Sequence, residues 1–290
     1  MSKILIFGSN GFLGSSLRHT LAIDHDVSTI NRNPSPGAHN FLGDILEPKS
    51  YYDIIKTIKP NIVISTAWNT TQNFWESSQN FAYSKATIDL ARTAYSLGTD
   101  RFIAFGSSAE FEESIQNRIS ESTTLRPQTI YGKAKSVTGL AIAELSRSYE
   151  KQFNWLRIFQ AYGENEKSDR LIPQVLSSLS LERPIVLQNP ARELDWIYSG
   201  DVSSSVEYII SNEIKDNFID VGTSVGTTVL QLVRQIAWLL SVSESLVTVS
   251  PNSLENNVSR LVCPSNSALF RHGWKPKMNL QNGLQKLIGS

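Results

Sequence analysis

Tyr131 and Lys135 stand four positions apart in QTIYGKAK, residues 128–135. In a helix that spacing puts both side chains one turn apart on the same face. A phenol ordinarily keeps its proton to about pH 10 and is a poor acid or base near neutrality. An ammonium one turn away favours the phenolate and so makes a tyrosine usable for proton transfer. Taken alone, the pair is either a packing contact or the reactive end of an enzyme, since surface pairs at this spacing are common. The rest of the chain has to decide.

A second candidate lies at the N-terminus. GSNGFLG follows the apolar run KILIF (3–7) directly and opens a helical pattern, with glycines at Gly8, Gly11 and Gly14. A strand–turn–helix junction of this kind lets the backbone approach a pyrophosphate, and the helix start offers free N–H groups to it. The spacing is G-x-x-G-x-x-G rather than G-x-G-x-x-G, so its position at the first strand–helix junction carries the reading. At the end of the second strand a carboxylate would bind the adenosine ribose of NAD, and an arginine would suit the extra phosphate of NADP. The chain reads VSTINRNP, with Asn31 at the acid's place and Arg32 after it. That favours NADP(H), with NAD(H) the alternative; the plain alternative for Arg32 is a solvated loop cation.

These groups need a frame. Strand-length apolar runs alternate with helical patterns: strands at 3–7, 26–30, 61–65, 101–105 and 153–159, and helices at about 12–21, 51–59, 74–97 and 131–150. Repeated strand–helix units imply a parallel sheet with helices on both faces. Beyond residue 164 the elements shorten, and NFIDVG (217–222) reads as a strand returning to the sheet. The expected organisation is a nucleotide-binding domain over 1–164, with 200–222 returning to it, and a smaller discontinuous cap over 165–199 and 223–290.

Composition narrows the functions. The 290 residues carry 27 Lys+Arg and 27 Asp+Glu, so no global positive field draws the chain to nucleic acid or an anionic membrane. Cys263 is the only cysteine, which excludes an internal disulfide and a cysteine-rich zinc site. His19, His25, His39 and His272 lack ligand spacing, so no metal is expected. The N-terminal apolar run is too short for a signal peptide, and no stretch approaches the roughly 20 apolar residues that span a bilayer. The expectation is a cytoplasmic protein.

Several segments together resemble a known family. The glycine loop, GDILEP after the third strand, FGSSAEF, YGKAK, LRIFQAYG (156–163), RLIP (170–173), DWIYSGDV (195–202) and GWKP (273–276) are similar to the extended short-chain dehydrogenase/reductases. Within them the chain resembles the nucleotide-sugar epimerase, dehydratase and reductase group. TAWNTTQNFWESSQN (66–80) and the short length look most like the deoxysugar 4-ketoreductases, such as the dTDP-4-keto-6-deoxyhexose reductases and the CDP-abequose and CDP-paratose synthases.

The resemblance implies a Rossmann doubly wound parallel sheet with a smaller C-terminal substrate-binding cap, and a nucleotide-diphosphate sugar as substrate. It implies catalysis by Ser108, Tyr131 and Lys135. Tyr131 would exchange a proton with the sugar oxygen, Ser108 would hydrogen-bond that oxygen, and Lys135 would tune Tyr131 and bind the nicotinamide ribose. Cofactor contacts are expected at Gly8, Asn10, Gly11, Phe12, Leu13, Gly14, Asn31, Arg32, Asp44, Ile45, Ala67, Tyr131 and Lys135. Substrate contacts are expected at Ser107, Glu110, Gln160, Arg170, Ile172 and Arg192 or Arg260; ordinary surface charge is the alternative for those two arginines. A homodimer through the 74–97 and 131–150 helices is expected, with Leu140, Ile142 and Leu145 either at that surface or against the sheet.

The resemblance also ranks activities. In the 4,6-dehydratases a Thr-Asp-Glu or Thr-Ser-Glu triplet supplies the glutamate that starts water elimination. Here it reads Ser108-Ala109-Glu110, which keeps the glutamate and loses its polar neighbour. NADPH-dependent 4-reduction therefore comes first, 4-epimerisation with a retained cofactor second and 4,6-dehydration third. A non-catalytic cofactor sensor is the reading from another class. Relatives of that kind tend to lose the tyrosine or the lysine, and both are present.

Overall fold

The computed structural model describes residues 1–71, 73–112, 119, 123–251, 261–262 and 268–289. Cys263 and Arg260 lie outside the described residues. The chain divides into two compact units: Met1–Glu112, Glu121–Ile158 and Ser203–Asp220 form the first, and Glu113–Ser120, Phe159–Val202 and Val221–Ser290 the second.

The first unit is built on β1 (Lys3–Phe7), β2 (Asp26–Asn31), β3 (Asn40–Leu42), β4 (Ile62–Ser65), β5 (Arg101–Ser107) and β6 (Gln152–Ile158). With the strand Phe218–Val221 they form one seven-stranded sheet, ordered Phe218–Val221, β6, β5, β4, β1, β2, β3. β1 pairs in parallel with β2 on one side and with β4 on the other, so Ile4 stands opposite both Val27 and Ile62. The chain leaves β1 in one direction and returns on its far side at β4. This is the switch point where open sheets of this type leave a crevice beyond the carboxyl ends of their strands. The sequence accounts for the strands: Ile4, Leu5, Ile6 and Phe7 are at most 1% exposed, as a central parallel strand covered on both faces requires.

The helices are α1 (Phe12–Leu21), α2 (Tyr52–Ile58), α3 (Gln79–Ser96) and α4 (Ile130–Ser148). Leu90, Ala91 and Ala94 of α3 and Ile142 of α4 pack into the core with Phe102, Phe153 and Trp155 of the sheet. α3 starts later than the sequence pattern predicts. Phe74–Glu76 is a separate 3-10 turn ended by Ser77 in extended conformation. The Asn80 side-chain amide donates to the Phe74 and Ser77 carbonyls at 2.7 and 2.8 Å, replacing the backbone donors of a continuous helix. On α4, Ile142 is fully buried whereas Val137 and Leu140 are exposed.

In the second unit Glu193–Tyr198 is the central strand. Gln160–Tyr162 and Leu261–Val262 pair with it in parallel, and Gly226–Thr228 antiparallel. Gln160–Tyr162 thus lies in this unit, where the sequence assigned everything to residue 164 to the first domain. Asp195 ties the unit's loops together by accepting from the Thr223 N–H and hydroxyl and from the Ser224 N–H, at 2.6–2.8 Å. No helix among the described residues is long and apolar enough to cross a membrane.

Candidate active site

The glycine loop closes tightly on the end of β4. Gly8 has φ +85, and a Cβ there would lie 2.9 Å from the Ala67 nitrogen; a Cβ on Gly14 would lie 2.2 Å from the Gly8 carbonyl oxygen. The Thr66 hydroxyl lies 3.0 Å from both the Phe7 and the Gly8 carbonyl oxygens. No side chain caps α1, and its first turn holds no acidic residue. A backbone cradle that side chains would fill, at an uncapped ten-residue helix start, fits the pyrophosphate of a dinucleotide.

Asn31 is placed differently from its expected role. It is 7% exposed and spends its amide inside the loop: Nδ2 donates to the Ser9 hydroxyl at 2.9 Å, and Oδ1 accepts from the Asn10 N–H at 3.1 Å. These bonds hold the glycine loop in shape. Arg32 beside it is exposed, and no described residue pairs with it. Asp44 is half-buried, and its Oδ1 accepts from the Leu46 N–H at 3.0 Å; Ile45 is in the core.

At the carboxyl end of β5 the chain turns through a 3-10 turn, Ser108–Glu110. The Ser107 hydroxyl accepts from the Ala109 N–H at 3.2 Å, and the Glu110 carboxylate accepts from the Ser107 N–H at 2.9 Å. This reciprocal cap fixes the turn that carries half-buried Ser108. α4 begins against the same turn: Thr129 caps it by accepting from the Gly132 N–H at 3.0 Å. A Cβ on Gly132 would lie 2.1 Å from the Ala109 carbonyl oxygen, so only glycine lets the helix start this close to Ser108. The glycine after Tyr131 therefore lets the start of α4, which carries Tyr131 and Lys135, pack against the turn that carries Ser108.

Tyr131 is 8% and Lys135 4% exposed, whereas Lys133 points to solvent. The Lys135 ammonium donates to the Phe105 carbonyl at 2.6 Å and lies 3.8 Å from the centroid of the Trp68 ring. Burial lowers its pKa to about 7, with the Glu110 charge pulling the other way. Phe74 and Trp75 meet the Tyr131 ring edge-on at 4.9 and 5.4 Å. The roles of Trp68, Phe74 and Trp75 were not read from the sequence. Their signal is the aromatic cluster in TAWNTTQNFWE, which begins just beyond β4 at the sheet's carboxyl edge.

Glu110 is a correction. It is fully buried, with Oε1 accepting from Trp155 Nε1 at 2.9 Å and Oε2 from Arg157 Nε at 3.2 Å. Burial raises its pKa, against the pull of Arg157, the Ser107 N–H and Trp155. Both carboxylate oxygens are taken up by partners inside the protein. Ile172 is a second correction. At 1% exposure it is buried in the second unit, on the inner face of the helix Leu171–Ser180. Gln160, Arg170 and Arg192 are half-buried in that unit. Leu194 is 6% exposed and packs as a hydrophobic residue.

Comparison with known proteins places the chain in a family. The NAD dependent epimerase/dehydratase family matches residues 4–222. The chain belongs to this family. As a member of this epimerase/dehydratase family it is an enzyme of the extended short-chain dehydrogenase/reductase type, with nucleotide-sugar enzymes as its relatives. It is 22% identical to dTDP-4-dehydro-6-deoxyglucose reductase of Escherichia coli, over 99% of this chain and 96% of that protein. It is 20% identical to dTDP-D-glucose 4,6-dehydratase of Mus musculus, over 99% and 87%. Two solved structures share the fold. One is dTDP-glucose 4,6-dehydratase of Bacillus anthracis in complex with NAD, with TM-score 0.84, 16% identity and coverage of 100% and 96%. The other is RMD of Pseudomonas aeruginosa complexed with NADPH, with TM-score 0.83, 18% identity and coverage of 100% and 98%.

Proposed function

We propose that this protein reduces the keto group of a nucleotide-linked 4-keto-6-deoxysugar to the 4-hydroxyl, with NADPH as the reductant. The observation that carries the choice is Glu110. Dehydration needs a base at the sugar, and this carboxylate is buried and held by Trp155, Arg157 and the Ser107 N–H. Reduction needs what remains: a hydroxyl, a phenol and an ammonium, supplied by Ser108, Tyr131 and Lys135. A 4-epimerase would use the same three groups and is the second reading.

When bound, the cofactor supplies the hydride that the carbonyl carbon receives. Tyr131 gives its phenolic proton to the carbonyl oxygen, which becomes the new hydroxyl. The Ser108 hydroxyl hydrogen-bonds that oxygen as negative charge builds on it. Lys135 stabilises the phenolate left on Tyr131 until solvent returns the proton. A cavity of about 220 Å³ in the first unit is lined by Asn69, Thr71, Phe74, Ser77, Gln79, Asn80 and Tyr83. Its amides, hydroxyls and ring faces carry no formal charge, which suits a neutral hydroxylated ring, and Phe74 connects it to Tyr131.

The test mixes the protein with NADPH and a panel of dTDP-, CDP- and GDP-linked 4-keto-6-deoxyhexoses, following reduced-nicotinamide absorbance and separating the products. Stoichiometric NADPH loss with one new deoxysugar is the expected result. Constant NADPH across the panel would overturn the reading. The cofactor preference has its own test. Asn31 is used within the loop and exposed Arg32 is available to a 2′-phosphate. A charge-assisted contact of about 1.5–3 kcal/mol implies that Arg32→Ala weakens NADPH binding roughly ten- to a hundredfold. NADH binding should be unchanged; equal losses for both would refute the assignment.

A further inference from the structure

Lys135 is a buried cation without a carboxylate partner. It is 4% exposed, and no carboxylate among the described residues lies within salt-bridge distance of it. An ammonium carries three N–H groups. It donates to the Phe105 carbonyl, and its closest ring contact is the face of the Trp68 indole at 3.8 Å, with the Trp155 and Tyr131 ring centroids at 5.7 and 5.8 Å. The titratable and charged groups around it are few. Tyr131 stands on its own helix, Glu110 lies in the 3-10 turn after β5 with Arg157 of β6 behind it, and Tyr83 of α3 backs Trp68.

The indole is itself fixed. Its Nε1 donates to Asn80 Oδ1 at 2.8 Å, and the Asn80 amide is anchored on the carbonyls of Phe74 and Ser77. One edge contact joins it to Tyr131, at 6.2 Å between centroids. Trp68 therefore touches both members of the proton-transfer pair, and its own orientation is set from outside that pair.

We propose that Trp68 is the positioning residue of the Tyr131–Lys135 pair, its indole face holding Lys135 in the ammonium form beside Tyr131 where a carboxylate would otherwise be needed. The choice of an aromatic has a physical reason. A carboxylate at this place would hold the cation equally well, but it would cancel the field of the ammonium and repel the phenolate that forms on Tyr131. The negative face of an indole stabilises a desolvated cation without adding net charge. The ammonium's field is left for the phenol.

This role rests on the proton-transfer reading above, so its test uses cofactor-free protein and no reaction. Tryptophan at position 68 alone is replaced by mono-, di- and tetrafluorotryptophan, which keep the shape and progressively weaken the negative face. The readout is the protonation midpoint of Lys135, followed by carbon NMR of labelled lysine and assigned by the signal missing in Lys135→Met. The midpoint should fall stepwise, by about one pH unit in total, with far-ultraviolet dichroism unchanged. A midpoint that stays constant or rises along the series overturns the proposal. Trp68→Leu should lower it at least as far, and the fluorinated series stands should that variant fail to fold. A falling midpoint in a protein that reduces no ketosugar supports this role of Trp68 and counts against the reductase reading alone.

Discussion

Tyr131→Phe is expected to lower kcat for ketosugar reduction by about 10²–10⁴-fold, the usual worth of a positioned general acid, with little change in fold stability. The change removes one oxygen and keeps the ring, and the ring is what Trp68, Phe74 and Trp75 contact edge-on. Thermal melting should move by no more than a single hydrogen bond implies, about 1 kcal/mol. Turnover within tenfold of the parent would mean that another group delivers the proton. Lys135→Met separates the two roles of the lysine. Burial holds its folded pKa at about 7, below that of an unfolded lysine. Between those values the unfolded chain binds more protons, so the group's contribution to stability is least favourable below about pH 7 and improves as pH rises. Replacing it with methionine should therefore raise the melting temperature at neutral pH while lowering turnover. In the parent, the rate should fall as pH rises through the lysine's titration, because the neutral amine no longer stabilises the phenolate.

The frame and the site were legible to different degrees. β1, β2, β4, β5 and β6 could be read because each is a short run bounded by a helix pattern and buried on both faces, whereas β3, three residues that are half-buried or exposed, carries no such run. The Tyr–Lys spacing and the glycine loop were legible because they are local: one turn of helix and one strand–helix junction. What escaped the sequence depends on partners far along the chain. Glu110 looked like a substrate group because its triplet sits at a strand end. Its burial is set by Trp155 and Arg157, 45 and 47 residues away. Asn31 was read as a cofactor ligand from its place on β2, and its partner in the loop it stabilises, Ser9, lies 22 residues earlier. The false start of α3 has the same origin on a shorter scale. FWESSQN fits a helical pattern until the Asn80 amide takes the carbonyls that helix would use. Trp68 sits in view in the sequence, but only the fold brings it against Lys135.

Arg157→Met is expected to destabilise the protein by about 3–5 kcal/mol, the usual consequence of stripping the partner from a buried charge. Arg157 is 5% exposed and lies between two carboxylates, Glu110 at 3.2 Å and Asp220 at 3.5 Å, which are themselves 0% and 1% exposed. The rings of Phe111 and Phe218 flank its guanidinium at 5.0 and 4.9 Å. Arg157→Lys should lose less, yet still lose, because a point charge cannot fork between two carboxylates. The defect has a pH signature. Without the guanidinium, Glu110 keeps the burial that already raises its pKa and loses the largest opposing pull. The folded state then binds more protons than the unfolded state above the ordinary carboxylate range, so stability falls as pH rises. Urea melts should show a larger deficit at about pH 8 than at about pH 5. The triple change Arg157→Met, Glu110→Gln, Asp220→Asn should recover most of the loss, since it removes the unpaired charges and keeps an oxygen for the Ser107 N–H and Trp155. Turnover gives a second readout, because the same carboxylate that Arg157 holds fixes the turn carrying Ser108. A deficit below about 1 kcal/mol, independent of pH, would mean that these carboxylates find other partners and that the buried network does not hold the catalytic turn.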